Sequence, residues 1–347
     1  MIVMLTDRQL LLLKAIIDDF IKTAHPVGSR TLAKKKDVAL SAATVRNEMA
    51  DLEELGYLKK THTSSGRIPS EKGYRFYVDH LIKPTIKQED VRIIENIIKN
   101  GFYEFEQIVQ MSAEILSELT NYTSIILGPE MYDTKLKQLQ IVTISPHTAV
   151  AILITNTGHV EHRSFTIPEE INPSDLEKMV NIINDRLEGV PIAQLQDVFE
   201  RKVKPLLQTH LTNYEKAYEY LQSIFTSDQP VKLYIGGKSN ILLQPEFKDL
   251  EKIRSFYTMI EKEDVVANLL KNAEEGIKVS IGTENEVDEI KDFSLITATY
   301  HAGEDQVGTI ALLGPTRMEY RKVISLLKGL SNEMTETLYM YRKNDKI

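Results

Sequence analysis

The sequence predicts an α+β protein of several domains, on three observations. Its 347 residues exceed what a single hydrophobic core commonly holds, so two or three domains are expected. The first eighty residues place apolar side chains at helical spacing and then change abruptly to a glycine-stopped strand and turn. Further along, apolar runs of strand length recur in neighbouring pairs between amphipathic helical stretches, the pattern of antiparallel strands flanked by helices.

Composition narrows the class. No run of about 18 uninterrupted apolar residues occurs, which argues against a membrane-spanning helix. The opening "MIVMLTDRQLLLLKAIIDDF" lacks a basic leader and is broken by Lys14, Asp18 and Asp19, so a signal peptide is not expected. With no cysteine there is no disulfide, thiol nucleophile or thiolate metal site, and the cytoplasm is the expected compartment. The net charge of −8 is uneven: residues 1–80 carry 13 Lys and Arg against 10 Asp and Glu, a local +3, and the remainder carries −11. Screening over about 8 Å means that a ligand feels the local patch. A mildly basic head on an acidic body is compatible with contact to phosphate.

In the head, Thr6 and Gln9 stand at capping-box spacing, and Leu10, Leu13, Ile16, Ile17, Phe20 and Ile21 follow as an apolar stripe until His25-Pro26. A shorter helix starts at Ser29. Ser41 caps a third, which runs to Gly56 with Val45, Met49 and Leu52 on one side. At 100° per residue, Ala43, Arg46, Asn47 and Ala50 fall on or near the opposite side. Small alanines permit close approach, and Arg and Asn suit bidentate contacts with guanine and adenine edges. After Gly56, "YLKKTHT" reads as a strand, "SSG" as a turn and "RIPS" as the returning strand. Ser70 then caps a helix with Tyr74, Tyr77, Val78 and Leu81 on one stripe. Helix, short helix, turn, capped helix and hairpin is the order of a winged helix-turn-helix.

This order assigns roles. Arg46 and Asn47, helped by Thr44, are expected to read bases. Ser41, Lys59, Lys60, Ser65 and Arg67 are expected to hold phosphates, with Lys34 to Lys36 as further candidates. The run "SAATVRNEMADLEELGYL" followed by "HTSSGRIPSEKGYRFYVD" resembles the N-terminal region of the HrcA family of bacterial heat-inducible repressors. The resemblance implies a homodimer on double-stranded DNA, bound to the inverted-repeat operator called CIRCE ahead of the groE and dnaK chaperone operons. It also implies dependence on the GroEL chaperonin, with activity lost on heat shock as damaged clients occupy that chaperonin.

Beyond the head, "IKPTIKQED" suggests a linker at 84–90. A helix from about Val91 to Lys99 and a longer one across "FEQIVQMSAEILSELTNYTSIIL" follow. Strand signals then appear at "LKQLQIVTIS", "TAVAILITNTG" and "HVEHRSFTIP", with a helix at "PSDLEKMVNIINDRLEG". The closing "VGTIALLGPTRMEYRKVISLLKGL" resembles the last hairpin and helix of a GAF-like fold. The expected domains are therefore a DNA-binding head at 1–83, the linker, and a discontinuous GAF-like domain at 91–190 and 276–347. A helix-rich insertion occupies 191–275, which the family resemblance names as dimerising.

"YIGGKSN" lacks the glycine that a phosphate loop needs five residues before Gly237, where Lys232 stands, so a turn leaving a strand is the better reading. His159 and His162 lie on a hairpin, where odd separation points them apart. With no nucleophile motif and no metal-ligand cluster, neither an enzyme nor a cofactor or metal is expected.

Overall fold

The structure, a computed structural model, describes residues 5–61, 66–83, 92–94, 105–128, 135–145, 147–156, 160–166, 173–210, 218, 233–247, 249–271, 273–302 and 307–344. Local capping chemistry sets the head elements. In α1 (Asp7–Thr23) the Thr6 hydroxyl accepts from the Gln9 amide at 3.3 Å, and the Gln9 side chain accepts from the Thr6 amide at 3.1 Å. Its stripe of Leu12, Leu13, Ile16, Ile17 and Ile21 is buried. The short α2 (Ser29–Ala33) buries Leu32, and a turn leads to α3 (Ala42–Glu54), whose buried ridge is Val45, Met49 and Leu52. Gly56 follows at φ 80°, a left-handed ending that suits glycine.

The strands β1 (Leu58–Lys60) and β2 (Arg67–Pro69) pair antiparallel, with Lys59 opposite Ile68 and Lys60 opposite Arg67. Next, α4 (Glu71–Phe76) is capped by the Ser70 hydroxyl on the Gly73 amide at 3.0 Å, and the chain closes as a π-helical turn at Tyr77–Leu81. Tyr74 and Tyr77 are buried, while Val78 and Leu81 are half-buried. The expected linker 84–90 and the hairpin tip with Ser65 lie outside the described residues.

By their contacts the residues fall into two units, Met1–Pro129 with Val231–Asn344, and Glu130–Pro230 with the last three residues. The body of the first unit is a five-stranded antiparallel sheet in the order β7-β3-β10-β9-β8. Its strands are β3 (Thr123–Leu127), β7 (Leu233–Gly236), β8 (Ile277–Ile281), β9 (Phe293–His301) and β10 (Val307–Pro315). On one face, Ile126, Ile296, Ile310 and Leu312 pack with α5 (Phe105–Thr120) and the C-terminal helix, Tyr320–Asn344. On the other, Ile125, Leu295, Ala311 and Leu313 pack with helices Leu250–Glu261 and Glu263–Lys271.

The second unit holds the three-stranded sheet β4-β5-β6, built from Leu136–Ser145, Thr148–Thr155 and Val160–Thr166. One face, with Leu136, Leu139, Ala151 and Leu153, packs on Met179, Ile183 and Leu187 of α6 (Pro173–Leu187) and on Phe199 and Val203. The Asn184 amide clamps α6 to the sheet, accepting from the Leu139 amide at 2.7 Å and donating to its carbonyl at 2.9 Å.

Two expectations are corrected here. The helix across "FEQIVQMSAEILSELTNYTSIIL" ends at Thr120; Asn121 turns at φ 56° and "TSIIL" is the fully buried strand β3. The segment that interrupts the first unit is Glu130–Pro230 and is part sheet, in place of a helix-rich 191–275. Both follow from non-local pairing. β3 pairs with β10 (Ile126 opposite Ile310) and with β7 (Ile125 opposite Ile235), partners far along the chain that no local pattern reveals.

Within the first unit, head and sheet share one continuous apolar cluster running from Leu13, Leu52 and Tyr77 to Ile296, Leu312 and Leu330. Tyr74 packs on Tyr320 with ring centroids 5.9 Å apart. A polar seam runs beside them. Arg75 Nε donates to Glu284 at 2.9 Å, and its Nη2 donates to the other Glu284 oxygen and, at 2.6 Å, to the Val279 carbonyl on edge strand β8. The α4 helix thereby covers a sheet edge that would otherwise offer free carbonyls.

Burial pushes the Glu284 carboxyl up, but hydrogen bonds from Arg75 and the Ile281 amide outweigh it and leave the carboxyl below its ordinary value. A carboxylate depressed in the folded state stabilises above its unfolded pKa, about 4.3, and loses that contribution as pH falls through the folded value. The thermal midpoint gap between wild type and Glu284→Gln is therefore expected at pH 7 and should close below about pH 4. A gap constant down to acid would show that the ionised carboxylate contributes nothing to the seam.

Candidate nucleic-acid interface

The Ser41–Gly56 segment presents the features expected of a reading helix. Ser41 forms the cap: its hydroxyl accepts the Thr44 amide at 3.1 Å and lies 2.9 Å from the Thr44 hydroxyl. Thr44 is half-buried and takes part in this first-turn network. Opposite the buried ridge, Ala43, Arg46, Asn47 and Ala50 are all exposed. The side chains of Arg46 and Asn47 make no hydrogen bond or ion pair with any described residue, so their donors are available to a ligand. The two alanines flank them without bulk.

The hairpin beside α3 exposes both Lys59 and Lys60. Adjacent strand residues point to opposite faces, and at this end of the hairpin both lysines reach solvent while Leu58 at its base is buried. Lys34 and Lys36 are exposed, whereas Lys35 donates to Asp19 at 2.5 Å. Ser65 lies outside the described residues.

Arg67 is held within the head. Its Nε donates to Glu53 of α3 at 2.6 Å, and its backbone amide and carbonyl both pair with Val27 at 2.9 Å. Its Nε is thus engaged inside the head by a carboxylate of the neighbouring helix.

Sequence reasoning also passed over the acids of α3. Glu48, Asp51, Glu53 and Glu54 stand on a helix with a single basic residue. Two of them are neutralised by neighbours, Glu48 by Arg8 at 3.5 Å and Glu53 by Arg67. Asp51 and Glu54 are exposed at the C-terminal half, beyond the N-terminal positions from which a reading helix contacts bases. The available signal was the excess of acids alone; their partners are remote in sequence.

Elsewhere in the first unit the "YIGGKSN" turn serves packing. Asn240 donates to the Ser117 hydroxyl at 2.9 Å and to the Tyr122 carbonyl at 3.1 Å. Between the sheet and Leu250–Glu261, Phe247 stacks on Phe293 at 4.4 Å. The cavity beside them holds about 10 Å³, lined in part by Tyr122, Asn240, Phe256 and Phe293, room for roughly one water rather than an effector. Among the described residues no helix is long and apolar enough to cross a membrane.

Comparison with known proteins then decides the family. The family model for the HrcA protein C-terminal domain matches residues 106–324. The heat-inducible transcription repressor HrcA of Oceanobacillus iheyensis (strain DSM 14371 / CIP 107618 / JCM 11309 / KCTC 3954 / HTE831) is 64% identical over 342 residues, covering 99% of this chain and all of that protein. The chain belongs to the HrcA family. HrcA proteins are heat-inducible transcription repressors, not enzymes, which accords with a head built to expose Arg46 and Asn47. A solved structure described as a hypothetical protein is 22% identical, with a TM-score of 0.69 over 97% of this chain and 100% of that one. It shows that this mixed helix-and-sheet HrcA fold also occurs at low sequence identity.

Proposed function

We propose that the head is a winged helix-turn-helix that reads an inverted repeat, the CIRCE element, as part of a homodimer in the cytoplasm, repressing the groE and dnaK chaperone operons. Arg46 and Asn47, helped by Thr44, read base edges in the major groove. Ser41, Lys59, Lys60 and Ser65 hold phosphates. The five-stranded sheet with its helices is the GAF-like body, and Glu130–Pro230 is the inserted domain through which two copies associate. Two-fold symmetry of the dimer then matches two-fold symmetry of the site.

The observation that carries the proposal is the free, exposed Arg46–Asn47 face on a capped helix beside a lysine-bearing hairpin. The test is a gel-shift titration of the inverted repeat and a scrambled duplex across salt concentrations. Lys60→Ala is expected to weaken both duplexes alike and to lower the log–log salt slope by about one. An unchanged slope removes Lys60 from the phosphate set.

Heat sensitivity follows from how the first unit is assembled. β3 cannot pair with β7 or β10 until the intervening Glu130–Pro230 has been made and set aside. Such long-range pairing is slow and leaves apolar strands exposed, the state that a chaperonin captures. GroEL occupied by damaged clients then limits the supply of active repressor. Denatured protein refolded with GroEL and ATP is expected to recover several-fold more operator binding than without; equal recovery speaks against this step.

A further inference from the structure

We infer that Glu53 and Arg67 form a brace that fixes the hairpin against the base-reading helix, so that Arg67 positions the DNA-binding surface without touching DNA. This rests on the assignment of α3 and the hairpin to DNA made above.

Four observations point the same way. The Nε–carboxylate contact of 2.6 Å joins α3 directly to β2, and the side chains are only 17% and 32% exposed, so solvent screens the pair less than an open surface bridge. The Arg67 backbone is fixed on both sides by Val27. Gly66 before it touches the Pro26 backbone so closely that a Cβ would come within 2.9 Å of the Pro26 carbonyl carbon, so this strand has little freedom to swing outward. Lys60 stands directly opposite Arg67 across the hairpin, where two like charges repel unless one is neutralised. Glu53 neutralises Arg67 and leaves Lys60 free to face solvent.

The test uses the full-length protein and labelled inverted-repeat and scrambled duplexes over a range of salt. Arg67→Gln is expected to lose about tenfold on the inverted repeat with the salt slope unchanged. The charge exchange Glu53→Arg with Arg67→Glu is expected to recover most of that loss, because it rebuilds the pair in reverse. A slope lower by about one with equal loss on both duplexes marks Arg67 as a phosphate contact and overturns the brace. So does an exchange variant no better than Arg67→Gln.

Glu53→Gln is nearly isosteric, leaves Arg67 in place and serves if Arg67→Gln does not fold. A reduced preference for the inverted repeat over the scrambled duplex supports the brace, and unchanged or tighter specific binding overturns it. Arg46→Ala and Lys60→Ala run alongside. If neither alters binding, the surface itself is misassigned and the brace falls with it. If both behave as expected and the exchange recovers nothing, the brace alone is wrong.

Discussion

Arg46→Ala is expected to weaken binding to the inverted repeat by about 1–3 kcal/mol, roughly five- to 150-fold, while affinity for scrambled DNA changes far less. The asymmetry follows from what the side chain offers. An exposed guanidinium on the face opposite Val45, Met49 and Leu52, with no partner among the described residues, has both donors of its fork available to one base edge. Losing it relaxes preference at one base step per half-site. Because the Arg46 side chain is exposed and makes no hydrogen bond or ion pair among the described residues, folding stability should move by less than about 0.5 kcal/mol. Competition binding with single-base variants of the inverted repeat, alongside a thermal melt, measures both. Equal weakening on all sequences would assign Arg46 to the backbone.

Leu52→Ala is expected to cost about 2–5 kcal/mol of folding stability, the range for emptying a closely packed leucine site. Leu52 is fully buried and belongs to the cluster that also contains Ile296, Leu312 and Leu330 of the sheet and C-terminal helix. A head on a free tether would unfold by itself and leave the sheet untouched. A shared core predicts instead that the loss reaches both. Amide hydrogen exchange should accelerate in parallel in α1 and in the β9–β10 hairpin. Acceleration confined to residues before Leu81 would show that head and sheet are energetically separate.

What could be read from the sequence was what short-range chemistry fixes. Thr6, Ser41 and Ser70 cap their helices within three residues, so the starts of α1, α3 and α4 were legible. Adjacent hairpins such as β5–β6 and β9–β10 were legible for the same reason. Which sheet each hairpin joined was not, because β3 is completed by β10 and β7, beyond an entire intervening unit. The domain borders moved accordingly.

The reading face shows the same division. The periodicity of α3 exposes Arg46 and Asn47 whatever surrounds it. The employment of Arg67, Lys35 and Arg8 depends on Glu53, Asp19 and Glu48, which folding brings near from other elements. A positive charge in a sequence announces a donor, not its acceptor.

The most direct test of groove reading is guanine N7 methylation interference on the inverted repeat, comparing wild type with Arg46→Ala. Entry of the Arg46–Asn47 face predicts one guanine in each half-site whose methylation blocks the wild type but not the variant. Identical interference patterns for the two proteins would contradict it.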